Sequence, residues 1–219
     1  MIRSWFGGKK DEALPDELGP LGCAIGGALV IDTLGLEAAL AAGDPAMGAP
    51  EGGTFVVAAV GTARLDGNSQ LTRYYDDEDR IIQVIAPPGG DREAVQDVSL
   101  YRPWDSVVPA SRSEWERWIG RGGLVGAPQY DADGVLFDRY WGSGDGHADL
   151  VEFIETVSDG ETSREIQQKC MLYARKVGAV EEMLLLNIEQ DLAVEARREG
   201  ASIAFLIGYG LGVADIERV

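Results

Sequence analysis

Histidine occurs once in this 219-residue chain, at His147, and cysteine twice, at Cys23 and Cys170. Two cysteines cannot build a thiolate metal cluster alone. Both stand in apolar, strand-like runs and read as buried free thiols. A serine–histidine–aspartate triad would have to use His147, and the chain has no Gly-x-Ser-x-Gly elbow for the serine. It also lacks a phosphate-binding P-loop, a Cys-x-x-Cys and a His-Glu-x-x-His. Gly208-Tyr209-Gly210-Leu211-Gly212 imitates a phosphate loop, but only seven residues follow it, too few for the helix that would hold the phosphate. No run of 18 apolar residues is present, so no membrane-spanning helix is expected. The opening MIRSWFGGKK has no signal-peptide core. Basic residues are scarce as well: 19 Lys and Arg stand against 37 Asp and Glu, a net charge of −18.

That charge repels phosphate backbones and argues against nucleic-acid binding. It leaves basic partners, cations or plain solvation. The first ten residues run against the trend, with Arg3, Lys9 and Lys10 and no acid. With Ile2, Trp5 and Phe6 they form a basic, apolar tip that reads either as a frayed tail or as a weak peripheral contact with an anionic membrane surface. A cytoplasmic location is expected, with no cofactor.

What the chain has in quantity is strand pattern. Residues 21–32 form an apolar run with β-branched ends, and residues 54–65 another. QLTRYYD and RIIQVIA flank an acidic turn at Asp77-Glu78-Asp79 and predict a hairpin. DVSLYRPW alternates and is expected to end at Pro103. QYDADGVLFDRYW predicts a second hairpin around Asp131-Ala132-Asp133-Gly134. LVEFIETV, REIQQKCMLYARKV, EEMLLLNIEQ and SIAFLIGYG read as further strands, and residues 191–200 fit either state. Two short helices are expected. One covers residues 34–42, and the other SRSEWERWIG, with Ser113 and Glu116 as its capping box and with Trp115 and Trp118 on one face. The fold class is therefore mainly β: antiparallel sheets from two pseudo-repeated units.

The repeat rests on short matches. Gly61, Asp66, Gly67 and Arg73-Tyr74-Tyr75 are echoed by Gly126, Asp131, Gly134 and Arg139-Tyr140-Trp141. Arg92-Glu93 precedes Leu100-Tyr101 at the spacing with which Arg164-Glu165 precedes Leu172-Tyr173. The expected organisation is a tail over 1–15, a first β unit over 16–125 with a helix near 113–120, and a second over 126–219, packed as one body. Two such units would cover each other, and the groove between them is the default ligand site.

Two constellations could carry chemistry. Asp145, His147 and Asp149 supply oxygen and imidazole to a divalent cation, though Gly142, Gly144 and Gly146 leave them in a flexible loop. Asp131–Gly134 resembles the opening of a calcium loop, but Tyr140 and Trp141 stand where its bidentate acid belongs. The second constellation is Arg73 with Tyr74, and Arg139 with Tyr140 and Trp141. An arginine beside aromatics in so acidic a chain either packs across strands in a local ion pair or holds an anionic ligand.

LTRYYDDEDRIIQV, VSLYRPWDSVVPASRSEWERW, FDRYWG, CMLYARKV and EMLLLNIE together resemble the YjfK-type family of uncharacterised bacterial proteins, across residues 20–219. The resemblance implies an accessory role linked to envelope maintenance and supplies no functional residue. The leading expectation is a non-enzymatic module that docks on a protein partner at the inner face of the membrane. A ligand- or cation-binding β protein is the rival, and a hydrolase built on paired carboxylates the third reading.

Overall fold

The computed structural model describes residues 18–192 and 202–219. The basic tip at residues 1–10, the tail over 1–15 and most of the segment 191–200 lie outside them. Thirteen strands form among the described residues, with two α-helices and antiparallel pairing throughout, so the chain is mainly β.

Eight of the strands close a barrel. These are β3 (Ala59–Leu65), β4 (Ser69–Tyr75), β5 (Ile81–Ala86), β6 (Asp97–Val107), β9 (Val151–Ser158), β10 (Ser163–Val177), β11 (Val180–Asp191) and β12 (Ile203–Gly210). Two four-stranded meanders, β3–β6 and β9–β12, meet at both seams, where β3 pairs with β9 and β6 with β12. Closure leaves neither meander with an open edge along those seams. A hairpin of β7 (Gln129–Ala132) and β8 (Val135–Arg139) extends from the far half of β10. Its turn uses positive φ at Asp133 and Gly134, a two-residue hairpin connection as expected.

Elsewhere the sequence reading needs correction. The run 21–32 yields only a short strand, β1 (Ala28–Ile31), because positive φ at Gly22 and Gly26 turns the chain before it. The apolar run 54–65 divides into β2 (Gly53–Val56) and β3. β2 joins β1 and β13 (Ile216–Arg218) in a separate three-stranded sheet. β6 does not stop at Pro103. Pairing with β12 shifts register between Phe205 and Leu206, beside the residue that has no N–H to give, and the strand runs on to Val107.

Helix α1 (Leu34–Leu40) forms as expected. Helix α2 (Arg112–Ile119) is capped two residues earlier than predicted. The Ser111 hydroxyl accepts from Glu114 N–H, and the Glu114 carboxylate reaches back to Ala110 N–H.

Three apolar clusters hold the structure together. One fills the barrel, around Tyr101, Leu172, Leu185 and Leu206. A second packs the small sheet onto the outer faces of β4–β6. The third packs α1, α2 and the β7–β8 hairpin onto β10–β12, with Trp115 buried in it and Trp118 packed, partly buried, against it. Cys23 and Cys170 are buried free thiols. No helix among the described residues is long and apolar enough to cross a membrane.

Candidate functional site

Side chains alternate in and out along each barrel strand. On β4, Leu71, Arg73 and Tyr75 therefore face inward and Thr72 and Tyr74 outward. An inward arginine has to be paired, because an isolated buried charge costs several kcal/mol. Arg73 is fully buried. Its Nε donates to Gln83 Oε1 at 3.0 Å and its Nη1 to Glu155 Oε2 at 3.1 Å. Burial alone would lower the guanidinium pKa, but the Glu155 carboxylate raises it well above the ordinary value, so the charge is kept. Phe153 lies against the cation, 5.4 Å from ring centroid to guanidinium carbon.

Glu155 is the hub of a polar layer. It also accepts from Tyr75 Oη at 2.7 Å and from Gln168 Nε2 at 2.8 Å. Gln168 Nε2 reaches on to Glu189, which accepts from Asn187 Nδ2 too, and the Cys170 thiol donates to Asn187 Oδ1. Burial, then the neighbouring Glu155, pushes the Glu189 carboxyl up. Burial pushes the Cys170 thiol up to about 12, so it is no thiolate nucleophile at neutral pH. Two glycines make room inside. A Cβ on Gly61 would stand 1.8 Å from Glu155 Oε1, and one on Gly208 would stand 2.3 Å from the Tyr101 ring.

Above this layer, at the end of the barrel marked by the β3–β4 turn, the interior opens into a cavity of about 710 Å³. Its walls are mainly apolar, with Leu71, Ile85, Phe153, Leu172 and Met183 among them, and Arg73, Gln83 and Ser99 line it as well. That is the usual size and make-up of a small-molecule site. Arg73 Nη2 makes no hydrogen bond among the described residues, which is rare for a buried donor. The atom has no contact with solvent, so an incoming acceptor reaches it only by displacing neighbouring side chains.

The expected ligand residues divide. Arg73, Tyr140 and Trp141 come together around this cavity. Tyr74 does not: it faces outward, accepting from Leu21 N–H and donating to the Leu18 carbonyl. Arg139 is a staple for its own loop, donating to the carbonyls of Gly126, Gly144 and Gly146. The loop it fixes follows directly on Tyr140 and Trp141, whose backbone N–H groups both donate to the Leu172 carbonyl.

The structure does not gather Asp145, His147 and Asp149 into one ion-holding group. Among the described residues no three His, Cys, Asp or Glu side chains gather as an ion-holding group. His147 and Asp149 instead line a separate surface cavity of about 580 Å³ with Lys169 and Arg121, and Asp145 is not part of it. Glu155 and Glu189 are neighbouring carboxylates that share the Gln168 Nε2 donor. Neither lines the main cavity, and Glu155 is occupied by Arg73, Tyr75 and Gln168.

Sequence reasoning missed Glu155, Gln83, Gln168 and Glu189. The available signal was period two: VEFIETV and REIQQKC place Glu155 and Gln168 in the alternation of strands whose neighbours on that face are apolar.

No solved structure matches this chain. A protein of Escherichia coli (strain K12) described as "Uncharacterized protein YjfK" is 29% identical over 176 residues, covering 79% of this chain and 78% of that protein. The model of the family described as "Protein of unknown function (DUF2491)" matches residues 1–217, and the chain belongs to that family.

Proposed function

We propose that the barrel binds a small, largely apolar molecule in the cavity between the Arg73 layer and the Tyr140–Trp141 mouth. The observation that carries this reading is the cavity itself: about 710 Å³, walled mainly by apolar side chains, with one buried guanidinium whose Nη2 makes no hydrogen bond among the described residues. An aqueous barrel interior would be lined with polar groups. An interior meant only for packing would be filled. Docking on a protein partner, the leading expectation from sequence, has no comparable feature behind it.

The test is titration with 6-propionyl-2-(dimethylamino)naphthalene, a neutral ketone whose emission shifts to the blue in apolar surroundings. Saturable one-to-one binding is expected. It should be weakened in Val151→Trp, which intrudes on the cavity from a position 40% exposed and should leave the fold intact. The reading fails if emission does not saturate, or if that variant binds as the parent does.

A further inference from the structure

The charges around the cavity are arranged asymmetrically, and this says what kind of molecule fits. The inference rests on the binding reading above. At the mouth the lining carries Asp66, Asp97 and Glu181 and no lysine or arginine. Asp66 and Asp97 form no ion pair with described residues. Among the described residues Asp97 takes a single 3.3 Å side-chain hydrogen bond, from Ser99 Oγ, while Glu181 is paired with the exposed Lys176 at 3.2 Å. The sole cation of the lining, Arg73, lies at the inner end, already balanced by Glu155 but with its Nη2 donor unused.

Strand register sets the separation. Arg73 is level with Gln83 and Ser99, and Leu71 is level with Ile85 and Asp97. Asp97 therefore stands two residues mouthward of Arg73, roughly 7 Å, and the β3–β4 turn holding Asp66 lies further out.

We infer that the occupant is an amphipathic cation. It has a neutral hydrogen-bond acceptor that takes the free Arg73 donor, an apolar middle against Leu71, Phe153 and Leu172, and a protonated amine left at the acidic mouth. The physical reasons are independent of one another. A carboxylate entering this barrel would pass the acids of the mouth to reach a guanidinium whose charge is already neutralised, so it gains little. A cation driven inward would meet Arg73. A molecule with acceptor in and amine out satisfies an otherwise orphaned donor and places its charge where the field is favourable. The whole chain, at −18, acts in the same direction on approach.

The test displaces the naphthyl ketone with three ten-carbon compounds: decanoate, decanamide and 10-aminodecanamide. The aminoamide should displace at about tenfold lower concentration than decanamide, the effect of a few partly screened carboxylates, and decanoate should be weakest. Raising ionic strength should shrink the gap. The double variant Asp66→Asn with Asp97→Asn should bring the aminoamide and the amide within about threefold, each read against the ketone's own affinity for that variant. Equal displacement by all three, preference for decanoate, or a gap that survives the double variant overturns the charge inference and leaves the binding reading standing. Failure of the ketone itself to bind removes both.

Discussion

Arg73 meets Glu155 across 82 positions of sequence, and the pair has no accessible surface on either side. Breaking such a pair leaves an uncompensated charge in an apolar interior, which typically costs 3–5 kcal/mol. Glu155→Gln is therefore expected to lower stability by about 3 kcal/mol. Combining it with Arg73→Met, which removes the stranded cation, should recover a large part of that, as read by denaturant unfolding. A double variant as unstable as the single one would show that the pair is not the source of the loss. One partner of this pair was legible in the sequence. An arginine inside LTRYYD, in a chain short of cations, stands out. Its counterion was not, because register between distant strands leaves no local trace, and an inward glutamate among 37 acids looks like any other.

At the scale of elements, local chemistry was the more readable part. The hairpins at 77–79 and 131–134 and both helices follow from turn residues, caps and period. Errors came where a neighbour overruled local pattern. Ser111 displaced Ser113 as the cap of α2, and a bulge at Trp104 in β6 let that strand continue past Pro103.

The β9–β10 turn offers a direct check on such local chemistry. Asp159 Oδ1 accepts from Glu161 N–H at 2.9 Å and Thr162 N–H at 2.7 Å. Burial would raise this carboxyl, but these bonds outweigh it and hold the group below its ordinary value of 3.8. A depressed folded-state pKa means stabilisation that is present above the unfolded value and lost as pH falls through the folded one. Asp159→Asn keeps an acceptor but drops the charge. It should cost about 1 kcal/mol near pH 7. The difference from the parent should narrow as pH falls from 3.8 and close once pH passes below the depressed folded-state value, where the parent's own carboxyl is neutral. A gap independent of pH would mean that the charge contributes nothing.

For the whole molecule, the barrel depends on two seams that only long-range pairing can make, β3 with β9 and β6 with β12. If the chain carries a duplication, topology makes its units the two meanders, β3–β6 and β9–β12. The matches noted in the sequence fall on β4 and β8 and on β6 and β10, outside that correspondence. Residues 18–125 alone should give no cooperative thermal transition, since β3 and β6 lose their seam partners and Arg73 loses Glu155. A cooperative transition from that segment would establish the first unit as independently folding. The cavity was not legible at any scale below this one. The groove expected between two units became the bore of a single closed barrel, and its walls are drawn from all eight barrel strands and the residues after β8.

The same separation has a consequence for biosynthesis. Arg73 leaves the ribosome 82 residues ahead of Glu155. At roughly 5–20 residues per second, that is about 4–16 s during which the first meander carries a lone inward cation and two unsealed margins. Nascent chains of this protein are thus at their most vulnerable midway through translation, when a holdase that shields exposed strand margins has the most to offer. A synonymous-codon change that slows elongation between the two meanders should lengthen that window and increase aggregation without altering a single amino acid.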